Sequence, residues 1–213
     1  MLEFEEIAWG RNLLRVAGVD EAGRGPLAGP VCAAAIIFDN PKSLLQKIPE
    51  LSKVNDSKQL SESRREDLFA ILTKHAGIDF SIAMSSAAEI DRVNILQATR
   101  AAMIDALEGL ATPPDLALVD GKPMRDIPCP AEFIVKGDAR SLSIAAASII
   151  AKVARDRYMV ALDRLHPQYG FAKHKGYGTK QHLQALRNFG PCPEHRRSFA
   201  PVSAIIDPVW DFQ

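Results

Sequence analysis

The sequence predicts a mixed α/β fold, in which a sheet is flanked by helices and followed by a small helical appendage at the C-terminus. Short apolar runs, typical of buried strands, alternate with longer stretches whose apolar residues recur at helical spacing. Segments rich in Gly and Pro separate these elements. The 213 residues contain no repeat, low-complexity tract or obvious linker, so the length suits one domain.

Apolar runs predict the strands, over residues 13–19, 31–38, 78–84, 116–119 and 133–135. The first two are joined by residues 23–30, a segment rich in Gly and Pro, which predicts a hairpin with an unusual connection. The third alternates between apolar and polar residues, as a half-buried strand does. The last two are each followed by acidic residues.

Helical periodicity predicts the helices, over residues 61–76, 90–110, 143–165 and 179–189. Ser61 and Thr179 can cap the first and the last, and Ser86 with Glu89 has the spacing of a capping box before the second. Residues 112–114, Thr-Pro-Pro, end that second helix. The first two turns of the third are almost entirely small or apolar, so we expect that end to be buried.

The order of the elements predicts a core over residues 1–165 and a C-terminal helical, basic segment over 166–213 that does not fold independently. Hydrophobic residues are 47% and charged residues 24% of the chain, as in ordinary soluble proteins. No apolar run is long enough to span a bilayer, and acids stand where a signal peptide has bases. With three scattered cysteines, this predicts a cytoplasmic, reducing environment without membrane contact. We expect the protein to be a monomer.

The charge of the chain is balanced overall but uneven along it. Lys and Arg number 26, as do Asp and Glu. Between residues 171 and 200, six basic residues face one acid, Glu194, which gives +5: Lys173, Lys175, Lys180, Arg187, Arg196 and Arg197. This asymmetry is consistent with a basic strip beside an acidic pocket, as an enzyme acting on a polyanion needs, and equally with a solvated basic face.

Carboxylates follow three of the predicted strands: Asp20 and Glu21 after the first, Asp120 after the fourth and Asp138 after the fifth. Ligands gather where the strands of an α/β sheet end, so these acids can converge. Hard oxygen ligands select Mg²⁺ or Mn²⁺, and two such ions about 4 Å apart can activate a water and stabilise a leaving 3′ oxygen. Asp120 and Asp138 each neighbour a glycine, however, and such acids are also common in turns.

The segment 23–29 resembles the dinucleotide-binding fingerprint only superficially. Its third glycine falls one place late, and Pro26 and Pro30 prevent a helix from starting where a pyrophosphate would need it. Two interpretations remain: a glycine turn whose backbone amides approach a sugar-phosphate with help from Arg24, or simply a tight hairpin connection.

Several segments together resemble ribonuclease HII, the type 2 ribonuclease H family. They occur in the family's order and extend from about residue 16 to 202, nearly the whole chain. The matching segments are 19–30 (VDEAGRGPLAGP), 55–58 (NDSK), 119–121 (VDG), 136–138 (KGD), 144–156 (IAAASIIAKVARD) and 174–177 (HKGY). Six ordered matches of this kind are highly specific.

The resemblance implies a ribonuclease H-like fold and an endonuclease that binds two Mg²⁺ or Mn²⁺ ions through Asp20, Glu21, Asp120 and Asp138. The implied substrates are RNA–DNA hybrids and single ribonucleotides embedded in duplex DNA. Cleavage on the 5′ side of the ribonucleotide would leave 3′-hydroxyl and 5′-phosphate ends. The 2′-hydroxyl is the group that distinguishes these substrates from DNA.

The resemblance also implies substrate-binding residues. Gly23, Arg24 and Gly25 would read the 2′-hydroxyl through backbone contacts, and Tyr177 would stack on the following sugar and favour deoxyribose there. Position 178 is Gly where many relatives have Pro, a departure that would loosen the loop carrying Tyr177.

Further candidates have a weaker basis. Lys58 and Lys175 are expected to contact phosphates, and Ser148 either donates to a phosphate or packs on a helix face. The histidines of residues 171–200 are expected at the surface. Asp156, between two arginines, is expected on a charged outer face.

Three other functions remain open at this point. A nuclease of the same fold with another substrate, such as a junction resolvase, would not require a 2′-hydroxyl. A non-catalytic nucleic-acid-binding module would use the basic strip without a divalent metal. A nucleotide-cofactor oxidoreductase would use the glycine segment, although the two prolines argue against it.

Overall fold

The computed structural model describes residues 1–54 and 57–206, without the side chain of Lys58. In this part of the chain a five-stranded mixed sheet forms the centre, in the order β3-β2-β1-β4-β5. The strands are β1 (Val16–Ala22), β2 (Val31–Phe38), β3 (Ile78–Ser85), β4 (Leu116–Asp120) and β5 (Ala131–Ile134). β1, β2 and β3 pair antiparallel, whereas β4 lies parallel to both β1 and β5. All five strands were predicted, with small shifts of their ends.

Helices cover both faces of this sheet. They are α1 (Glu3–Gly10), α2 (Pro41–Lys47), α3 (Glu62–Lys74), α4 (Ala87–Val93), α5 (Ile95–Glu108), α6 (Leu142–Leu165), α7 (Phe171–His174), α8 (Lys180–Phe189) and α9 (Ala200–Ile206), with short 3-10 helices at Pro49–Lys53, Ser57–Gln59 and Gly137–Ala139. The sequence did not predict α1, α2, α7 or α9. Within the described ranges, no helix is both long and apolar enough to cross a membrane.

Two predicted boundaries are wrong. The single helix expected over 90–110 is broken at Asn94, which has a φ of 72° and caps α5 by accepting hydrogen bonds from the amides of Leu96 and Gln97. β1 does not end before Asp20: it continues to Ala22, because Asp20 and Glu21 remain paired with Ala34 and Ala33 of β2. Both acids are therefore held by a strand rather than by a loop.

The pleat of β2 divides the core into two layers. Cys32, Ala34, Ile36 and Phe38 pack with α3 and α6, whereas Ala33, Ala35 and Ile37 pack with α5. Small side chains let the helices approach closely, and Gly18 of β1 is the extreme case. A Cβ there would lie 2.0 Å from the carbonyl carbon of Ser143, so the start of α6 lies directly on the strand.

The C-terminal helices pack on the segment that joins β1 to β2. Leu27 of that segment clusters with Leu186 and Val202, and Ala28 clusters with Tyr169 and Phe171. The predicted helical appendage is present, and it covers the connection of the hairpin. This contact places the appendage beside the ends of the acidic strands.

Candidate active site

Asp20 and Asp120 are brought together by the parallel pairing of β1 and β4. The register aligns Val19 with Val119, so the next residues on the two strands are the two aspartates. Their neighbours two positions back, Gly18 and Leu118, face α6, and alternation along each strand directs both aspartates to that face.

Asp138 is held beside them by a short hydrogen bond. The amide of Gly137 donates to Oδ1 of Asp120 over 2.7 Å, which anchors the 3-10 helix Gly137–Ala139 to the end of β4. A Cβ on Gly137 would meet a side-chain carbon of Ile144 at 2.5 Å, so this turn requires a glycine between sheet and helix. Asp138 is itself buried.

The electrostatics of Asp20 show that the four acids converge. Asp20 is only 6% exposed. Burial raises the pKa of Asp20 well above its ordinary value, and repulsion from Glu21, Asp120 and Asp138 raises it further. The amide of Glu21, which donates to Oδ1 of Asp20 over 2.7 Å, acts in the opposite direction. The structure therefore brings all four predicted acids into one electrostatic cluster.

Glu21 links this cluster to the glycine segment. Burial raises the pKa of Glu21, and the guanidinium of Arg24, 3.2 Å from Oε1, offsets part of that shift. Arg24 is about half exposed, whereas Glu21 is largely covered. Arg24 is thus an exposed cation beside Glu21 that a ligand could displace.

The acids suit a hard divalent cation by their chemistry, because carboxylate oxygens are the ligands that Mg²⁺ and Mn²⁺ prefer. Across residues 1–54 and 57–206, however, no three His, Cys, Asp or Glu side chains are arranged so that they could jointly hold an ion. One oxygen each of Asp20 and Asp120 accepts a backbone amide, and Glu21 binds Arg24. Coordination by this set would therefore require side-chain rotation, above all of Glu21.

A cavity of about 310 Å³ lies beside Glu21. It is lined by Glu21, Ala22, Gly23, Arg24, Gly25, Ser57, Ser148, Lys152, Arg155 and Tyr177. The ring of Tyr177, 46% exposed, closes one side. A Cβ on Gly25 would lie 3.8 Å from Cε1 of that ring, so the aromatic side chain packs against the glycine backbone. The predicted glycine-arginine-glycine element and Tyr177 thus face the same space.

Two buried arginines, neither of which was predicted as a site residue, fix the segment between β1 and β2. Arg196 donates to the carbonyls of Gly23, Arg24 and Gly29 over 2.6–3.0 Å. Arg155 donates to the carbonyls of Ala28, Pro30 and Lys175 over 2.9–3.1 Å.

The direction of these bonds determines where the amides of the glycine segment point. In a trans peptide the N–H lies opposite the C=O. Because the carbonyls of Gly23 and Arg24 point at Arg196, the amides of Arg24 and Gly25 point away from it. Gly23 has a φ of +95°, and a Cβ there would lie 2.0 Å from Nε of Arg155, so only glycine fits this turn.

Three predictions about charged residues are wrong. Arg196, counted among the basic residues of 171–200, contributes neither to an exposed basic strip nor to a solvated basic face, because its side chain is fully buried. Asp156 is not on an outer face: it is 8% exposed and accepts a hydrogen bond from Nζ of Lys152 over 2.7 Å. His174, His182 and His195, expected at the surface, are all buried. The C-terminal segment packs on the hairpin connection, which buries Arg196 and the histidines. Asp156 has a different environment, because it lies in a pocket shared with Glu62 and Glu66 of α3.

The weaker substrate-binding candidates have different environments. Ser148 lines the cavity, and its hydroxyl lies 2.7 Å from that of Ser57. Lys175 is largely covered; its Nζ donates to the carbonyl of Ala172 and lies 4.0 Å from Glu62. The side chain of Lys58 lies outside the described residues. Lys152, which was not predicted, also lines the cavity.

The helical spacing from Ser148, which was predicted, could have revealed Lys152 and Arg155, which were missed. Ser148, Lys152 and Arg155 are separated by four and three positions, so they lie on one face of α6. That face reaches the cavity, as its lining shows. Arg196 had no comparable signal, because its partners are backbone carbonyls far away in the sequence.

A second cavity, of about 340 Å³, lies on the other side of Glu21 and Arg24. It is lined by Glu21, Arg24, Leu96, Thr99, Met103, Asp120, Gly121, Lys122, Pro123 and Met124. Asp120 opens into this second space, so the acids lie between two concave surfaces. An extended polymer passing over them could contact both.

Known proteins match nearly the whole length of the chain. The family model described as Ribonuclease HII matches residues 17–202. The chain is 54% identical over 192 residues to a ribonuclease HII from Chromobacterium violaceum, covering 90% of this chain and 93% of that protein. It is 50% identical over 206 residues to one from Geobacillus kaustophilus, covering 97% and 76%. The crystal structure of the ribonuclease H2 from Pyrococcus horikoshii is similar with a TM-score of 0.72 at 29% identity, covering 90% and 96%.

Proposed function

The chain belongs to the ribonuclease HII family, and from this premise we propose that it cuts both RNA–DNA hybrids and single ribonucleotides embedded in duplex DNA, using two divalent ions. Endonuclease activity of the ribonuclease H type follows from the family itself. The observation that carries the finer proposal is the position of Asp20. It is a buried carboxylate surrounded by three others, and its neighbour Glu21 lines the cavity formed by the glycine segment and Tyr177.

Asp20, Glu21, Asp120 and Asp138 are the residues that would hold the ions. When bound, two Mg²⁺ or Mn²⁺ ions supply an activated water and stabilise the leaving 3′ oxygen. The protein contributes a rigid strand pair that fixes Asp20 beside Asp120, and an amide that orients Asp120. Repulsion among the four acids makes the site strongly attractive to cations.

Recognition of the ribonucleotide would fall to the backbone of the glycine segment. The amides of Arg24 and Gly25 point away from the buried Arg196, and both residues line the cavity. A 2′-hydroxyl placed there can accept an amide hydrogen bond, which a deoxyribose cannot do. Tyr177 offers a half-exposed ring against Gly25, on which the next sugar can stack.

The phosphate backbone would be held by cations around this cavity. Lys152 lies in its wall, and Arg24 is exposed at its rim. Lys173, Lys180, Arg187 and Arg197 are exposed elsewhere on the C-terminal segment. Such contacts position a nucleic acid without reading its sequence, and they weaken as salt is added.

A duplex with one ribonucleotide tests the proposal directly. We expect one cut on the 5′ side of the ribonucleotide, dependent on Mg²⁺ or Mn²⁺, with no cleavage of the all-deoxy duplex or of a four-way DNA junction. Asp120→Asn should lower the rate by at least about 100-fold, because Asn keeps an oxygen for the amide of Gly137 but loses the charge.

Asp126→Asn is the matched control, since Asp126 is exposed and pairs only with Arg100 in the described structure. It should cut like the wild type. Cleavage in EDTA, or near wild-type cleavage by Asp120→Asn, would refute the metal-binding role of the acids. A cut in the all-deoxy duplex would refute recognition of the 2′-hydroxyl and favour a nuclease with another substrate.

A further inference from the structure

Three histidines of the C-terminal segment form a buried network behind Tyr177. His182 and His195 are almost completely buried, and their Nε2 atoms lie 3.0 Å apart. His174 stacks on His182, with ring centroids 4.5 Å apart. None of these rings reaches the substrate cavity, so their role must be exerted through other residues.

The hydrogen bonds of this network have only one consistent direction. The carbonyl of Tyr177 can only accept, so Nδ1 of His182, 2.9 Å away, must donate to it. Nε2 of His182 is then an acceptor, and Nε2 of His195 must donate to it. Nδ1 of His195 is left as an acceptor, and the amide of Cys192 donates to it over 3.0 Å.

The rings of His182 and His195 must therefore both be neutral, each in a defined tautomer. His182 carries its proton on Nδ1, and His195 carries its proton on Nε2. A second proton on His182 would face the N–H of His195, and a second proton on His195 would face the amide N–H of Cys192. Burial lowers the pKa of both histidines to about 4, which is consistent with neutral rings at physiological pH.

His174 fixes the other side of Tyr177. Its Nε2 lies 2.8 Å from the carbonyl of Tyr169, and its Nδ1 accepts the amide of Gly176 over 3.2 Å. The amide of Tyr177 in turn donates to the carbonyl of His174 over 2.9 Å. The peptide groups on both sides of the Tyr177 side chain are thus held by the histidine network.

We propose that His195 and His182 form a directional hydrogen-bond relay that fixes the carbonyl of Tyr177 and so holds the Tyr177 ring against Gly25. His182 and His195 are positioning residues for discrimination at the sugar that follows the ribonucleotide, and this role rests on the function proposed above for Tyr177. The relay also supplies order to a loop that has Gly at position 178. It offers a physical reason why these imidazoles are buried rather than exposed.

Amide substitutions can test the direction of the relay. An Asn side chain places its amide near the position of Nδ1 of a histidine, and a Gln side chain places it near Nε2. His182→Asn keeps the donor to Tyr177, whereas His182→Gln loses it. At His195 the preference reverses: His195→Gln keeps the donor to His182, whereas His195→Asn loses it.

The first readout is the ratio of cleavage rates on a single-ribonucleotide duplex and on a continuous RNA–DNA hybrid. We expect His182→Asn and His195→Gln to stay within about twofold of the wild-type ratio. His182→Gln should lose about five- to tenfold, the value of one buried hydrogen bond, and His195→Asn should lie between. In a Tyr177→Ala background the four substitutions should change nothing further. If all four variants lowered this ratio equally, the proposal would be overturned. It would also be overturned if Gln kept the wild-type ratio at both positions, because that result would follow from side-chain volume rather than from the position of the donor.

The second readout does not depend on activity. A nuclear Overhauser contact between the Gly25 Hα atoms and the Tyr177 ring should persist in His182→Asn and His195→Gln and disappear in His182→Gln. Nitrogen-15 spectra of the wild-type imidazoles should show protonated Nδ1 in His182 and protonated Nε2 in His195, and the opposite tautomers would overturn the relay even if no variant folds. If these spectra and contacts are as expected but the wild type has no junction preference, the relay is supported and the proposed role of Tyr177 fails.

Discussion

Asp20→Asn should abolish cleavage and at the same time stabilise the metal-free protein. Asp20 is 6% exposed, and three further carboxylates repel it. The Asn side chain keeps an oxygen that can accept the amide of Glu21, so the substitution removes a charge but not that hydrogen bond. A charge that serves only to bind cations is expected to oppose folding when no cation is bound.

The size of the effect follows from the strand geometry. The Cα atoms of adjacent parallel strands are about 4.8 Å apart, and two unit charges about 6 Å apart repel by about 3 kcal/mol at an effective dielectric constant of about 20. Solvent and side-chain rotation reduce this repulsion, so we expect a gain of about 1–3 kcal/mol. For a domain of this size that gain raises the midpoint of thermal unfolding by roughly 2–12 °C.

Thermal unfolding in EDTA and in Mg²⁺ measures both parts of this prediction. In EDTA the Asp20→Asn protein should melt above the wild type, and Mg²⁺ should raise the midpoint of the wild type more than that of the variant. Asp126→Asn, at an exposed position, should follow the wild type in both conditions. A lower midpoint for Asp20→Asn in EDTA, or equal stabilisation of both proteins by Mg²⁺, would show that the acids do not form a strained cation site.

Three further predictions concern the residues around the cleft. Burial lowers the pKa of His182 and His195 to about 4, so as the pH falls the unfolded chain takes up protons on these histidines at a higher pH than the folded chain does. The free energy of unfolding should therefore decrease between about pH 6.5 and 4, by roughly 1–3 kcal/mol per pH unit. Urea unfolding measures this, and a flat profile would contradict it. Gly23→Ala should lower cleavage at least about tenfold and destabilise the fold by about 2–4 kcal/mol. Its control, Gly121→Ala, lies at a similar φ of +100° but has nothing within 4 Å of the added Cβ, so it should cost only about 1–2 kcal/mol of unfolding free energy. Equal costs would exclude the steric role of Gly23. Arg196→Met leaves three carbonyls without their donor and should destabilise by about 2–5 kcal/mol, while the exposed Arg197→Met should change the unfolding free energy by less than about 0.5 kcal/mol.

The elements that the sequence predicted well are those with strong local signals. The five strands were read from apolar runs, and Ser61 and Thr179 were identified as caps and do cap α3 and α8. The break at Asn94 was missed, because a capping side chain inside an amphipathic pattern looks like one more polar position. α2 was missed for a related reason: it is only seven residues long, too short for periodicity to be visible.

The site residues that could be predicted are those that follow apolar strands or lie in segments resembling the family. Adjacent acids after an apolar run pointed to Asp20, and the parallel register of β1 and β4 places Asp120 next to it. Asp138 depended on a turn held by one amide, which no sequence pattern shows. Arg155 and Arg196 were missed because charged residues are normally exposed, and the carbonyls that compensate their burial come from a distant segment.

The division of the cleft between two parts of the chain has a mechanical consequence. The acids come from the sheet and from the turn before α6, whereas the parts that would read the sugar depend on the C-terminal segment. Arg196 holds the carbonyls of Gly23 and Arg24, and the histidine network holds Tyr177. Cation binding and sugar recognition can therefore be perturbed separately. The C-terminal segment also depends on the core. The guanidinium of Arg196 is buried against carbonyls of the core, and burial lowers its pKa to about 9. Without the core it would lose those partners, and this favours the prediction that residues 166–213 do not fold on their own.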